Sequence, residues 1–583
     1  MNFLKNIISS AIGFIIAIGL LFVTIVIIAF SIGDDLEVEV GDTSILKIEL
    51  KTAIKDYAPL EIDPFSDLLG LAPKYVGLNK VIESIGKAKN DARIKGISIE
   101  AIALNGGISQ LNAIRNAIAD FKTSGKFVMA YSDAYGQKEY FLSSIADSVF
   151  VSPVGQIDFK GLSSEILFFK DFQDKYGVKM EVIRHGKYKS AVEPFLENKM
   201  STSNRTQMKE LLGSLWFDIT DAISISRDIP IKELNKIADG LLGRTARLSV
   251  LNNLVDGAIY KDEYKLKLKS LVNGDKYVSL DLLDYIKSNV IFDFEQDKKT
   301  DKIAVVYAQG NIIYGEGDEE SIGHGMMVKA IEKAKNDKSV KAIVLRVNSP
   351  GGSALASDLI WRALELAKKD KPLVVSMGNY AASGGYYISC NADRVFAEST
   401  TITGSIGVFG MLPNASELAS RMGIYSEKVS TNISPSYSPF LKLDPAFYEV
   451  TKEGVDVVYK TFVSKVAKGR NMSFEAVHEL AQGRVWSGKQ ALENGLIDAV
   501  GGLDSAIASA RDLAEIEEYK IKNYPDYNND IRESFQNMPF INIKENLMKE
   551  WMGDASFILF KQLNNLKNVE GVQMGMPYIL DIK

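Results

Sequence analysis

The hydrophobic pattern in the second half of the chain alternates between two types of segment. Short runs rich in β-branched and other apolar residues lie at 303–307, 340–347 and 373–376, as expected for buried strands. Between them, apolar residues recur at helical spacing over 326–336 and 355–369. Strands that alternate with helices indicate an α/β fold whose central sheet is largely parallel.

The N-terminal region contains a long uncharged segment. Residues 7–32 carry no charge, and at about 1.5 Å per helical residue such a run can cross a hydrocarbon core of roughly 30 Å. Lys5 precedes it and Asp34 follows it, so the positive-inside tendency predicts a single-pass anchor with a cytoplasmic N-terminus. The alternative is a cleaved signal peptide, since residues 29–31 resemble a cleavage site.

The sequence repeats itself once. The stretch IGKAKND at 85–91 returns as IEKAKND at 331–337, an offset of 246 residues that also aligns Gly177 with Gly423. A repeat of this length is a duplicated domain rather than a solenoid unit. We therefore predict two tandem α/β domains.

These patterns predict where the domains begin and end. The 583 residues exceed what one core usually organises, and a polar stretch near residue 298 is a suitable join. The predicted division is an anchor at 1–33, a first repeat domain at 34–298, a second at 299–520 and a C-terminal extension at 521–583.

Composition excludes several classes of function. Hydrophobic residues make up 46% of the chain and charged residues 24%, with a net charge of −6, which is typical of a folded protein without a basic track for nucleic acid. Cys390 is the only cysteine, so an intramolecular disulfide and a multi-cysteine metal site are excluded. We expect no metal and no organic cofactor.

Two glycine-rich turns are the candidate site for chemistry. NSPGGS at 348–353 and GNYAASGG at 378–385 each follow a predicted strand and precede a helical stretch. Functional groups of parallel α/β folds gather at the carboxyl ends of strands. Ser383 could attack a carbonyl there, with the N–H of Gly384 and one from Gly351 or Gly352 as the oxyanion hole. The alternative is that both are simply tight strand-to-helix turns.

A serine nucleophile needs a base, and histidine is scarce. His185, His324 and His478 are the only histidines, and no Gly-x-Ser-x-Gly serine accompanies them. A lysine can replace histidine if burial lowers its pKa enough for the neutral amine to be populated. Lys189 lies in the largely uncharged stretch YKSAVEPF at 188–195. The alternative is an ordinary solvated lysine.

The repeat pairs these two candidates in a specific way. At the same offset, Lys189 corresponds to Pro435, and Ser383 corresponds to Gln137. One repeat thus holds the lysine and lacks the serine, while the other holds the serine and lacks the lysine. We predict one active site built from both repeats.

At these residues the chain resembles a known family. YKSAVEPF at 188–195 and AASGGYY at 381–387 are similar to the signal peptide peptidase family, protease IV, in its long form. The resemblance implies a Clp-protease and crotonase-like fold and an acyl-enzyme mechanism with Ser383 as nucleophile and Lys189 as general base. It also implies that the hydroxyl of Ser405 orients the lysine.

The resemblance further implies location, partners and substrates. It implies a homotetramer held in the bacterial inner membrane by residues 7–32, with periplasmic catalytic domains. The implied substrates are apolar peptides, above all the remnants of cleaved signal peptides. The chain departs from the family at Asn379, where relatives can carry an acidic residue, and beyond residue 520.

Two rival functions and one segment remain open at this stage. A crotonase-like acyl-thioester enzyme also uses glycine-bounded N–H groups for an oxyanion, although it gives no reason for the pairing of Ser383 with Lys189. A noncatalytic membrane scaffold would be favoured by loss of either residue, and both are present. Residues 574–579 are apolar but too few to span a bilayer, so we predict that they dock against the protein.

Overall fold

The computed structural model describes most of the chain. Described are residues 40–58, 75–100, 102–272, 276–290, 300–527 and 572–575, with a few positions between 13 and 24. The predicted anchor falls almost entirely outside these residues, as do the predicted boundaries at 33 and 298. Within the described residues, no helix combines the length and the apolar character that a membrane crossing requires.

The strands and helices are numbered in chain order. The strands are β1 Ser44–Ile48, β2 Ala53–Lys55, β3 Tyr75–Gly77, β4 Ile94–Ile99, β5 Phe127–Ser132, β6 Ser148–Val151, β7 Lys179–His185, β8 Gly257–Ala258, β9 Val278–Asp281, β10 Lys302–Gln309, β11 Asn311–Ile313, β12 Ser321–Gly323, β13 Val340–Ser349, β14 Gly351–Ser353, β15 Leu373–Ala382, β16 Arg394–Ala397, β17 Ile402–Gly404, β18 Val408–Asn414, β19 Val485–Ser487, β20 Ala499–Val500, β21 Lys520–Tyr524 and β22 Gln573–Gly575. The helices are α1 Leu78–Asn90, α2 Ile108–Lys122, α3 Gln137–Ser143, α4 Lys170–Tyr176, α5 Glu193–Leu196, α6 Thr202–Arg227, α7 Ile231–Asp239, α8 Ala246–Leu251, α9 Lys261–Leu271, α10 Leu282–Val290, α11 His324–Asn336, α12 Ala354–Ala367, α13 Gly384–Ser389, α14 Ser416–Arg421, α15 Pro445–Gly469, α16 Phe474–Leu480, α17 Gly488–Glu493 and α18 Leu503–Leu513.

The alternating pattern of the second repeat is confirmed. The three predicted strands are β10, β13 and β15, and the two predicted helices are α11 and α12. The strands are buried almost throughout, which accounts for their continuous apolar sequence. β15 continues to Ala382, beyond the predicted end at residue 376, because its last residues pair with β17.

Each repeat contributes a parallel sheet with the same strand order. In the first repeat the order is β8-β6-β5-β4-β1-β9. In the eight-stranded sheet of the second repeat, the series β20-β16-β15-β13-β10-β21 has the same order, and β17 and β19 extend the sheet from the end of β15. All neighbours in both series are parallel. β21 begins at Lys520, the residue at which the sequence division ends the second domain, and it completes the second sheet. The equal order is the structural counterpart of the duplicated sequence.

The chain divides into two compact units that do not follow the sequence repeats. Residues within 1–106, 111–159 and 225–296 form the first unit, and the remainder form the second. The segment 160–224, which lies in the first repeat by sequence, therefore belongs to the second unit. The reason is that β7, which lies in this segment, pairs along its whole length with β18 of the second repeat.

This pair of strands belongs to a further sheet of the second unit. Its order is β12-β11-β14-β22-β18-β7. β7 and β18 are antiparallel, with His185 opposite Val408 and Lys179 opposite Asn414. The sheet thereby brings together the segment after β7, the glycines of β14 and the short strand β22.

Candidate active site

Ser383 lies at the junction between β15 and α13. Its backbone has φ 55° and ψ −113°, a conformation that costs a non-glycine residue about 1–3 kcal/mol. Two hydrogen bonds hold it: its N–H donates to the carbonyl of Gly404 at 2.8 Å, and its own carbonyl accepts from the N–H of Tyr387 at 2.9 Å. The side chain is fully buried. A strained turn of this kind presents a serine hydroxyl in a fixed direction.

Lys189 reaches this serine from the segment that follows β7. Its Nζ lies 2.9 Å from Oγ of Ser383 and 3.1 Å from both the hydroxyl and the carbonyl oxygen of Ser405. The residue is 0% exposed. Burial penalises the charged amine and holds the pKa of Lys189 well below its ordinary value. A neutral amine at this distance can accept the proton of the Ser383 hydroxyl.

Two glycines make room for the lysine, and sequence reasoning did not select them. Gly483 has φ 84°, and a Cβ there would lie 2.6–2.7 Å from the backbone of Lys189. A Cβ on Gly407 would lie 3.2 Å from Cδ of the same lysine. The available signal was the dipeptide Gly483-Arg484, which recurs in the first repeat as Gly243-Arg244.

Ser405 lies where it contacts the amine twice. It has φ 50° and follows Gly404, which has φ 75°. Its N–H donates to the carbonyl of Arg484 at 2.7 Å, which fixes the turn so that both oxygens of Ser405 face Lys189. The arrangement can orient the amine, and that role stays a prediction.

The glycine turns of β14 and α13 approach each other closely. The N–H of Gly351 donates to the Ser349 hydroxyl at 3.1 Å, so this donor is already used. A Cβ on Gly384 would lie 3.2 Å from the nitrogen of Gly352. Of the two alternatives for the second oxyanion donor, the geometry favours Gly352, with Gly384 as the first.

The histidines have other partners. Nδ1 of His185 lies 2.6 Å from Asp456, and Nδ1 of His478 lies 2.8 Å from the hydroxyl of Tyr459. His324 accepts a hydrogen bond from the N–H of Gly315 at 3.0 Å. Within the described residues, no histidine is hydrogen bonded to Ser383. Among the described residues, the basic side chain hydrogen bonded to Ser383 is therefore that of Lys189.

Comparison with known proteins decides the family. The model of Peptidase family S49 matches residues 120–274 and 365–517. The chain belongs to peptidase family S49. One S49 domain lies in each repeat, so the tandem duplication is confirmed, and the first match contains Lys189 while the second contains Ser383. This S49 chain is a serine peptidase, and neither the acyl-thioester enzyme nor the noncatalytic scaffold is supported.

Curated relatives agree over most of the chain. Protease 4 of Haemophilus influenzae is 34% identical over 575 residues, which cover 95% of this chain and 93% of the relative. Protease 4 of Salmonella typhi is 35% identical, covering 76% and 73%. The chloroplastic serine protease SPPA of Arabidopsis thaliana is 32% identical, covering 76% and 66%. The similarity to S49 proteins thus extends well beyond the two glycine turns.

Proposed function

We propose that this S49 peptidase hydrolyses apolar peptides, including the remnants of cleaved signal peptides, with Ser383 as nucleophile and Lys189 as general base. The observation that carries the proposal is the 2.9 Å separation of the lysine Nζ from the serine Oγ, in a site where both residues are fully buried. Burial supplies the depressed pKa that a lysine base needs.

The proposed reaction is an acyl transfer in two steps. Neutral Lys189 takes the hydroxyl proton as Ser383 Oγ bonds to the peptide carbonyl carbon, and the N–H groups of Gly352 and Gly384 stabilise the oxyanion. The leaving amine takes that proton from the lysine, and an ester remains on the serine. Lys189 then removes a proton from water, whose oxygen displaces Ser383 and releases the carboxylate product.

We propose that the peptide binds as an added strand between β14 and β18. This position in the sheet is the one that β22 occupies in the structure. An extended peptide there gains main-chain hydrogen bonds from both neighbours, while its alternate side chains enter pockets. Phe409 and Met411 of β18 are buried beside Val192, which favours apolar side chains.

We propose that residues 7–32 anchor the enzyme in the bacterial inner membrane, with the catalytic domains in the periplasm. The support is the length of the uncharged run and the charges on either side of it. The parallel sheet of each repeat and the glycine-bounded N–H groups also support the finer fold class, that of Clp-protease and crotonase-like proteins.

The proposed homotetramer rests on two segments that correspond to β7 and β18 in the other repeat but do not form strands in the single chain. At the offset of 246 residues, β7 corresponds to residues 425–431 and β18 corresponds to residues 162–168. In the described chain, β7 and β18 pair with each other, whereas neither counterpart belongs to a strand. Apolar side chains of the counterparts are exposed: Tyr425 by 81%, Val429 by 96% and Leu167 by 61%.

We propose that residues 425–431 of one copy pair with residues 162–168 of the next copy, as β7 pairs with β18. A head-to-tail contact of this kind either closes into a ring or propagates as a filament. A closed ring of four copies is the form that the family resemblance implies. It would cover the exposed tyrosine, valine and leucine.

The proposed nucleophile is tested by replacing it. Ser383→Ala is expected to lower kcat on an apolar peptide by about 10³-fold or more, because the acyl-enzyme cannot form. Ser505→Ala changes an exposed serine and serves as the matched control. Mass spectrometry of the products measures the turnover. Wild-type turnover in the Ser383 variant would remove this serine from the mechanism.

A further inference from the structure

The strand β22 occupies the place that we propose for a substrate. Gln573, Met574 and Gly575 pair antiparallel with Ser353, Gly352 and Gly351, respectively. On its other edge, Gln573 pairs antiparallel with Phe409 of β18. The segment therefore completes a sheet in which β14 and β18 would otherwise have no strand between them. Within residues 574–579, which the sequence predicts to dock, Met574 and Gly575 belong to this strand.

The side chains of the segment are bound as well as its backbone. Met574 is 0% exposed and belongs to the main hydrophobic core of the second unit. Val572, two residues earlier, packs against the same core. Alternate residues of a strand point to the same face, so the segment presents an apolar side chain at every second position, as an apolar substrate would.

The register of β22 on β14 places the carbonyl of Met574 at an N–H that we propose as an oxyanion donor. The N–H of Ala354 donates to the carbonyl of Val572 at 3.3 Å. Hydrogen-bonded pairs alternate along an antiparallel ladder, so the next such pair joins the N–H of Gly352 to the carbonyl of Met574. This N–H is the donor that the site geometry favours for the oxyanion.

The other proposed oxyanion donor, the N–H of Gly384, lies close to the same carbonyl. A Cβ on Gly351 would lie 2.1 Å from the carbonyl oxygen of Met574 and 2.7 Å from the nitrogen of Gly384. The Met574 oxygen and the Gly384 N–H thus flank the same side of Gly351, next to the turn that holds Ser383. The bond that follows this carbonyl joins Met574 to Gly575.

We propose that the peptidase cleaves its own chain between Met574 and Gly575. The proposal rests on the proposed function, because it uses the same serine and lysine. Ser383 Oγ bonds to the carbonyl carbon of Met574, and its proton passes through Lys189 to the amine of Gly575 as the peptide bond breaks. Water then hydrolyses the ester, which leaves a carboxylate on Met574 and restores the Ser383 hydroxyl. The chain from Gly575 onward is released.

Intact-mass spectrometry of the full-length protein tests this inference. The wild type and Ser505→Ala are expected to end at Met574, and Ser383→Ala is expected to keep residues 575–583. Met574→Asp is also expected to stay uncut, because a carboxylate does not fit a fully buried apolar position. Truncation of the Ser383 variant, cleavage of the Met574 variant at the same bond, or cleavage of the wild type at another bond would overturn the proposal.

Two further measurements distinguish a failure of the self-cleavage from a failure of the proposed function, and cleavage within one chain from cleavage between chains. The wild-type sample is assayed on an added apolar peptide. A full-length wild type that hydrolyses this peptide would overturn the self-cleavage and leave the proposed function standing, whereas one that does neither would overturn both. Wild-type enzyme is also mixed with Ser383→Ala. The variant is expected to stay full length, because cleavage occurs within one chain, and its truncation in the mixture would overturn that assignment.

Discussion

The amine of Lys189 and the hydroxyl of Ser383 lie 2.9 Å apart, although 194 residues separate them in the chain. The two residues come from different repeats and yet belong to one compact unit. β7 explains this, because its pairing with β18 places the segment that contains Lys189 beside the turn that contains Ser383. The duplicated chain thus forms a single lysine–serine pair, with one residue from each repeat.

The pH dependence of activity follows from the burial of Lys189. The amine must be neutral to accept a proton, so kcat/KM rises with pH as the lysine loses its proton. Because burial lowers the pKa of Lys189, the rising limb is expected well below the ordinary lysine value of about 10.4. A pH–rate profile on an apolar peptide measures it. A rising limb at the ordinary lysine pKa would mean that the general base is a solvated group.

Ser405 is predicted to act as a positioning residue. Ser405→Ala removes the hydroxyl that lies 3.1 Å from Nζ of Lys189 and leaves the carbonyl contact. Loss of one hydrogen bond of about 0.5–1.5 kcal/mol predicts a kcat lower by about 2- to 10-fold, with KM unchanged and the pH profile displaced. Steady-state kinetics at several pH values measure all three. An unchanged kcat and pH profile would show that the hydroxyl does not orient the amine.

Gly483 offers a test with a closely matched control. Gly483→Ala places a Cβ 2.6–2.7 Å from the backbone of Lys189, whereas Gly495→Ala has nothing within 4 Å, and both positions have positive φ. Both variants should lose about 1 kcal/mol or more of unfolding free energy, but only Gly483→Ala should lose most of its activity. Denaturant unfolding and peptide turnover measure the two effects. Equal activities would contradict the role of Gly483 in placing the lysine.

The proposed contact between copies predicts that a charge introduced into residues 425–431 disrupts the oligomer. Val429→Asp puts a carboxylate into residues 425–431, where the valine is 96% exposed in the single chain. The oligomer is expected to dissociate, because the carboxylate would have to be buried in the contact. Light scattering coupled to size-exclusion chromatography measures the mass. Leu251→Asp, at a 65% exposed position of the first unit, is the control, and an intact Val429 oligomer would rule out this contact.

The sequence predicted the elements whose signals are local. Continuous apolar runs predicted β10, β13 and β15, helical spacing predicted α11 and α12, and the offset of 246 residues predicted the duplication. The glycine-rich turn indicated Ser383, the repeat paired it with Lys189, and the family resemblance fixed Lys189 as the base and added Ser405. The structure brings the three together.

The rest depended on contacts that leave no local signal. The pairing of β7 with β18 joins residues more than 200 positions apart, so nothing in residues 160–224 shows that this segment belongs with the second repeat. The choice between Gly351 and Gly352 as oxyanion donor depended on the hydrogen bond that the N–H of Gly351 donates to the Ser349 hydroxyl. The insertion of β22 beside the glycine turn likewise depends on long-range strand pairing.

Removal of the lysine amine tests the central claim most directly. In Lys189→Met an apolar side chain of similar length replaces the buried amine. The pKa of Lys189 is lower in the folded protein than in the unfolded chain. The unfolded chain therefore binds a proton at this lysine more readily, and the wild type loses stability as pH falls below the pKa that the lysine has when unfolded. The variant should therefore unfold at a higher temperature, most clearly at acid pH, so a loss of activity cannot be ascribed to unfolding.

The decisive measurement is the kcat of Lys189→Met on an apolar peptide. Lys187→Ala is the matched control, since Lys187 is exposed and lies only two residues away. The account predicts a loss of about 10³-fold or more for Lys189→Met, with Lys187→Ala at the wild-type rate. A folded Lys189→Met enzyme that turns over peptide at the wild-type rate would contradict it.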